Sequence, residues 1–142
     1  GPCLDKTREL MKDLPNVVFP GWVDRSQMES LANMSIASLA PYKNVKNFTL
    51  NIPNKIVDSL MLSLPILSPL KGEVAALIKS NKVGYTYNDN IPLSDCIQSL
   101  LNNDKLQKKM SENAKKLYDE EFEFDKVYDG LVDHLEGMVI KK

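Results

Sequence analysis

Two cysteines are all that 142 residues contain, Cys3 and Cys96, and they lie too far apart to fit a metal-ligand or redox spacing. That leaves no zinc motif and no disulfide framework, and it suits reduced thiols in a cytoplasmic protein. Histidine is scarcer still. His134 stands alone in a C-terminal helical stretch with no Ser or Cys in a suitable constellation, so it reads as a surface or packing residue rather than a triad base. Charge of one sign is also missing: 18 basic and 19 acidic residues are interspersed, so no molecule-wide field draws in nucleic acid or an anionic membrane. Any anion must be caught locally. No apolar run reaches membrane-spanning length and no signal peptide is recognisable, so a soluble domain is expected. Metal is not expected either. In "YDEEFEFD" (Tyr118 to Asp125), Asp119, Glu120 and Glu121 point in different directions on a helix and read as a solvated face. Lys105, Lys108, Lys109, Lys115 and Lys116 have acidic neighbours and form an exposed helix, not a nucleic-acid stripe.

What is present suffices for one domain over residues 1–142, with 43% apolar residues to build a core. After a polar helical start at Lys6 to Leu14, "NVVFPGWV" (Asn16 to Val23) is β-branched and aromatic and reads as a buried strand ending in a sharp turn. Asp24 then caps a helix, with Gln27 three residues on as in a capping box and Met28, Leu31, Ala32 and Met34 at helical spacing. A strand Ile36 to Tyr42, a loop, a helix Pro53 to Leu64 and a strand Pro65 to Leu70 follow. The helix "GEVAALIKSN" and a strand Lys82 to Asn88 complete three strand–helix units. Alternation without hairpin signals implies an α/β fold with a parallel sheet flanked by helices. From Ile91 the chain is helical, in the segments Leu93 to Leu101, Asp104 to Phe122 and Phe124 to Val139.

Ligands of open parallel sheets bind where strand ends enter helices, and "NIPNKIVD" (Asn51 to Asp58) falls at such a place. Pro53 at the first helical position has no N–H to leave unpaired, and the N–H groups of Asn54, Lys55 and Ile56 point out along the axis with the positive end of the helix dipole. That arrangement suits phosphate, with Lys55 adding a full charge. Asp58, one turn on along the same face, suits the hydroxyls of a ribose. Spacing alone equally allows an ordinary helix start, with Lys55 solvated and Asp58 on an exposed face. Trp22, Tyr42, Tyr85 and Tyr87 near strand ends read as core or rim packing.

Taken in order, "NVVFPGWVDRSQMESLANMSIASLAPY", "NIPNKIVDSLMLSLPILS" and "LKGEVAALIKSNKVGYTYN" resemble the carboxy-terminal domain of retaining nucleotide-sugar glycosyltransferases of family four. Those enzymes have the GT-B fold, and the resemblance runs from about Pro2 to Phe124. It implies a Rossmann-like, donor-binding half of a larger two-domain enzyme, whose amino-terminal acceptor domain is absent here. Gly1-Pro2 is then either a scar of tag cleavage or the end of the family's Gly-x-Gly-Pro-like turn, with a first strand cut off or supplied elsewhere.

Carried over by position, Gly21, Trp22 and Val23 match the turn near the nucleotide base, and Pro53, Asn54 and Lys55 match the segment at the diphosphate and donor sugar. Asp58 matches the second acid of a Glu-x7-Glu pattern, the one that binds ribose. Gly72 and Glu73 match the Gly-Gly-x-x-Glu region, with Lys71 in place of one glycine. The first acid is missing, since Leu50 stands eight residues before Asp58. "PNKIVD" looks closer to the branch, seen in surface-polysaccharide synthesis, that carries Pro-Asn-Lys-x-x-Asp or Glu in this place. The resemblance implies transfer of a sugar from a nucleotide-diphosphate donor to a glycan or lipid-linked acceptor without metal or other cofactor. It places the whole protein in the cytoplasm, at most peripherally on the inner membrane face, and leaves the isolated domain inactive. The alternative is a non-catalytic Rossmann-like module that holds a nucleotide or a partner protein. A nucleotide-sugar epimerase shares the architecture, but its catalytic acids and His are not evident here.

Overall fold

The computed structural model describes residues 4–139 and has mixed α/β architecture. Its centre is a three-stranded parallel sheet in the order β1 (Ser38–Leu39), β2 (Ile66–Ser68), β3 (Gly84–Thr86). Helices fill every connection. α1 (Leu4–Leu10) and α2 (Arg25–Asn33) precede β1, and α3 (Lys46–Thr49) and α4 (Asn54–Met61) lie between β1 and β2. α5 (Glu73–Asn81) links β2 to β3, and α6 (Leu93–Leu101) and α7 (Asp104–Leu117) follow. One π-helical turn, Tyr118–Phe122, joins α7 to α8 (Phe124–Val139).

β2 carries the fold because both of its faces are covered: Ile66, Leu67 and Ser68 are all buried. Alternation along the strand sends neighbours to opposite sides. Ile66 joins Ile56 and Leu60 of α4, Val74 and Ile78 of α5, and Ala114 and Leu117 of α7 in one core. Leu67 joins Cys96 and Leu100 of α6 and Met110 of α7 in a second. An uninterrupted apolar strand is what a parallel sheet buried on both faces requires. Buried polar atoms are paired: the Ser68 hydroxyl donates to the Ala40 carbonyl at 2.9 Å and accepts from the Leu70 N–H at 3.3 Å, which ties the ends of β1 and β2 together.

Several expected boundaries shrink. The strands foreseen over Ile36 to Tyr42, Pro65 to Leu70 and Lys82 to Asn88 keep only their central residues in ladders, and the loop after β1 contains the short α3. The largest correction concerns Asn16 to Val23, which forms no strand. A ladder needs a neighbour: this stretch has Pro15 in front and Pro20 and Gly21 inside, its Val17 N–H turns back to the Leu14 carbonyl, and Val18 and Trp22 face solvent. α2 is corrected in part. Its capping box forms as expected, the Gln27 N–H donating to Asp24 Oδ1 at 2.8 Å and the Asp24 N–H to Gln27 Oε1 at 3.0 Å. Of its apolar residues, however, only Ala32 is buried. With so little burial to hold it, α2 depends on the cap: Asp24→Ala should cost about 1 kcal/mol in denaturant unfolding and lower helical circular dichroism.

α8 packs on the π-helical turn. Phe124, Tyr128, Leu131, Leu135 and Met138 recur along it at alternating spacings of four and three, all about half exposed. Among the described residues no helix is long and apolar enough to cross a membrane.

Candidate functional site

In each strand–helix unit the connecting loop leaves the carboxyl end of a strand, so the amino ends of α4, α5 and α6 gather along one edge of the sheet. Asn44 braces that edge. Its Nδ2 donates to the Pro69 carbonyl at 2.8 Å and its Oδ1 accepts from the Lys71 N–H at 2.7 Å, so one side-chain amide fastens the loop after β1 to the loop after β2. Gly72 then caps α5 with φ of 69°, and a Cβ there would lie 2.0 Å from the Thr49 carbonyl oxygen. No side chain fits. Gly72 and Glu73 are thereby held beside the end of α3.

The mouth of α4 differs from expectation by one position. Pro53 is the N-cap, extended at φ −62° and ψ 147°, and not the first helical residue. The Ile56 N–H is spent on the Pro53 carbonyl at 2.8 Å, which leaves the N–H groups of Asn54 and Lys55 as the free donors of the first turn. No side chain caps them. Asn54, Lys55 and Asp58 are exposed, while Ile56, Ser59 and Leu60 of the same helix are buried, so α4 is divided sharply between an anchoring face and a free one. Ser59 fixes the anchored side, its hydroxyl donating to the Lys55 carbonyl at 2.6 Å and meeting the Ser38 hydroxyl of β1 at 2.7 Å. Among the described residues neither Lys55 nor Asp58 has an ion-pair partner.

Two of the sequence-predicted groups meet. Gly21, Trp22 and Val23 share a cleft of about 550 Å³ with Asp58, completed by Asp24, Arg25 and Met28 from the start of α2 and by Met61 from the end of α4. The walls are largely apolar. Trp22 lines the cleft while remaining 95% exposed, and Gly21 makes the turn before it with φ of 79°. One oxygen of the Asp24 carboxylate, Oδ1, is engaged in the α2 cap. Pro53, Asn54 and Lys55 stand one turn before Asp58 on α4, outside the cleft wall, and Gly72 and Glu73 stand at the next helix mouth along the sheet edge. The expected site therefore divides into a cleft and a neighbouring pair of helix mouths.

Arg25, Met28 and Met61 escaped the sequence reading. Met28 was assigned to an apolar helix face, yet it is 39% exposed and lines the cleft. Met61 lies three residues beyond Asp58, the one signal that placed it on the same face of α4.

Other sites are weaker. A hollow of about 570 Å³ lies along α7, but its Lys115 and Lys116 already pair with Asp119 and Glu120, so its charges are internally balanced. The Cys96 thiol is buried in the second core, and burial first, then the neighbouring Asp95 carboxylate, push it up from its ordinary value, which keeps it protonated and unreactive near neutral pH. Cys3 lies outside the described residues, as do Gly1 and Pro2. His134 is exposed on α8. Among the described residues no three His, Cys, Asp or Glu side chains are grouped to hold a metal ion. Set against known protein families, curated proteins and solved structures, the chain finds no match in any of the three.

Proposed function

We propose that this domain is the Rossmann-like, donor-binding half of a GT-B glycosyltransferase resembling the retaining family-four enzymes, with a nucleoside-diphosphate sugar as its ligand. The observation that carries the reading is the meeting of the Gly21–Val23 turn with Asp58 in one cleft, one helical turn from the open mouth of α4. Two segments 35 residues apart in sequence, both matched to nucleotide-binding positions by the same resemblance, line the same space. The ligand lies along α4. Its diphosphate sits at the Asn54 and Lys55 N–H groups and the Lys55 ammonium, its ribose hydroxyls donate to the Asp58 carboxylate, and its base lies over Trp22.

When the anomeric C–O bond breaks, the electron pair stays on the diphosphate. Fixed N–H dipoles and the Lys55 charge stabilise that growing negative charge without having to reorganise. The acceptor, a glycan or lipid-linked sugar, is delivered by an amino-terminal domain that closes the cleft and excludes water. The full protein works in the cytoplasm, touching the inner membrane face peripherally at most, in surface-polysaccharide or glycoconjugate synthesis. Leu50, 64% exposed where the resemblance leads one to expect a sugar-reading acid, favours a second reading, a module that holds nucleotide without transferring a sugar.

Calorimetric titration with UDP and GDP tests the proposal. Saturable binding of a nucleoside diphosphate is expected, and Asp58→Ala should weaken it about tenfold or more through loss of charge-assisted hydrogen bonds. Absence of binding by every nucleotide would sink the donor-site reading. Binding that survives Asp58→Ala at equal affinity would remove the ribose role.

A further inference from the structure

Resting on the donor-site reading above, we infer that the ligands bring a second oxyanion, beyond the donor diphosphate, and that Lys43, Lys46 and Lys71 receive it on the sheet edge beside the mouth of α4. The charge pattern points there. Over the whole chain acids and bases balance, yet from Ser30 to Gly72 Asp58 is the sole acid, against Lys43, Lys46, Lys55 and Lys71. All four lysines are exposed, and among the described residues none has an ion-pair partner. On α7, by contrast, Lys109, Lys115 and Lys116 each pair with an acid three or four residues on.

The fold gathers three of the unpaired lysines by their backbones. Lys71 gives its N–H to Asn44 Oδ1 at 2.7 Å, which sets it beside the residue that follows Lys43. Gly72 lies against the Thr49 carbonyl, and the Thr49 hydroxyl donates to the Lys46 carbonyl at 3.3 Å, one turn back on α3. This platform is anchored from below. Tyr42 and Phe48 pack ring against ring with centroids 4.8 Å apart and, with Ile52, rest on the first core, while Lys43, Lys46 and Leu50 stay at the surface.

Like charges gathered without a counter-charge repel one another, and a bound anion relieves that repulsion. A lysine ammonium is a point charge on a flexible stem, so three stems rooted on one rim reach a common oxyanion without a preset orientation. Leu50, at the end of α3, adds no negative charge to oppose it. Glu73 opens α5 next to Gly72, but it is exposed and no ion pair ties it to Lys71. The second oxyanion has two sources, a carboxylate on the transferred sugar, as in a uronic acid, or the phosphate of a lipid-linked acceptor.

Calorimetric titration of the whole domain with two pairs of probes tests the inference. The first pair is glucuronate 1-phosphate against glucose 1-phosphate; the second is isopentenyl phosphate against isopentenol, each added over saturating UDP or GDP. In one pair the member with the extra oxyanion should bind about tenfold more tightly. A preference in the first pair assigns the anion to the donor sugar, and one in the second assigns it to the acceptor. The combined variant Lys43→Gln, Lys46→Gln, Lys71→Gln should reduce that preference to within about twofold. Lys109→Gln, Lys115→Gln, Lys116→Gln removes the same charge from α7 and should leave the preference intact. All six side chains are exposed, so neither variant threatens the fold. No preference in either pair, or a preference lost equally in both variants, overturns the inference. Uptake onto phosphatidylglycerol vesicles without a response to the soluble probes also overturns it. UDP or GDP binding that persists in those cases leaves the donor site standing, whereas failure of both nucleotides to bind overturns the donor-site reading itself.

Discussion

Replacing Gly84 with alanine should strongly destabilise the native sheet. Gly84 pairs with Ile66 in the β2–β3 ladder, and a Cβ on it would lie 1.9 Å from the Ile66 carbonyl oxygen and 2.6 Å from its nitrogen. Both obstacles are backbone, so no side chain can turn aside, and the strand itself must move away from β2. That motion breaks the bond from the Ile66 N–H to the Val83 carbonyl, 2.9 Å in the native chain, and opens the buried face where Val83 packs with Ile66 and Ile78. The cost should reach at least about 3 kcal/mol, against a total stability on the order of 5–15 kcal/mol for a domain of this size. Thermal unfolding followed by circular dichroism should show a midpoint lowered by about 10 °C or loss of a cooperative transition. A midpoint within about 2 °C of the parent would mean that β2 and β3 are not in this register.

That register was only partly legible in the amino-acid sequence. Local signals carried well: Asp24 and Gln27 form the capping box they spell out, and "PILSPL" and "KVGYTYN" each contain the strand they suggest, because a cap or an apolar run is decided within a few residues. Signals that depend on a distant partner carried badly. "NVVFPGWV" has strand composition, but composition describes fitness for a pleated surface and does not supply the neighbour whose carbonyls must accept its N–H groups. Asn44 is similar. Nothing in "YKNVKN" indicates that this side chain spans 25 residues to hold Pro69 and 27 to hold Lys71.

The candidate site divides on the same line. Lys55 and Asp58 were readable from helix geometry, since three residues put them on one face whatever surrounds them. Their separation from Ile56, Ser59 and Leu60 was readable for the same reason. Pro53 was misplaced by one residue because an N-cap and a first helical residue differ in a single ψ angle, here 147°. Arg25 could not be read at all, since an arginine paired with Glu29 four residues on is ordinary helix-surface chemistry, and only the fold shows it lining a cleft with Asp58.

Substitution of Ile56 by alanine tests whether the two faces of α4 do separate work. Ile56 is fully buried in the first core beside Leu60, Ile66 and Val74, and its truncation should cost about 2–5 kcal/mol by lost burial and residual cavity. The melting midpoint should fall on the order of 10 °C. Where the mutant remains folded, the free face of the helix is unchanged, so on the donor-site proposal a nucleoside diphosphate should still stabilise it. At a hundredfold excess over its dissociation constant the ligand returns about 2.7 kcal/mol, enough to recover much of the loss. Asp58→Ala should give the reverse pattern. Its side chain is exposed and without an ion-pair partner among the described residues, so the unliganded midpoint should stay within about 2 °C of the parent while the nucleotide-induced rise shrinks. A large loss of stability in Asp58→Ala would show that the acid holds the fold. A nucleotide-induced rise equal to the parent's in Asp58→Ala would show that the ligand does not use it. Only the crossed result, stability lost in one variant and ligand response in the other, fits a helix anchored by Ile56 and reading its ligand through Asp58.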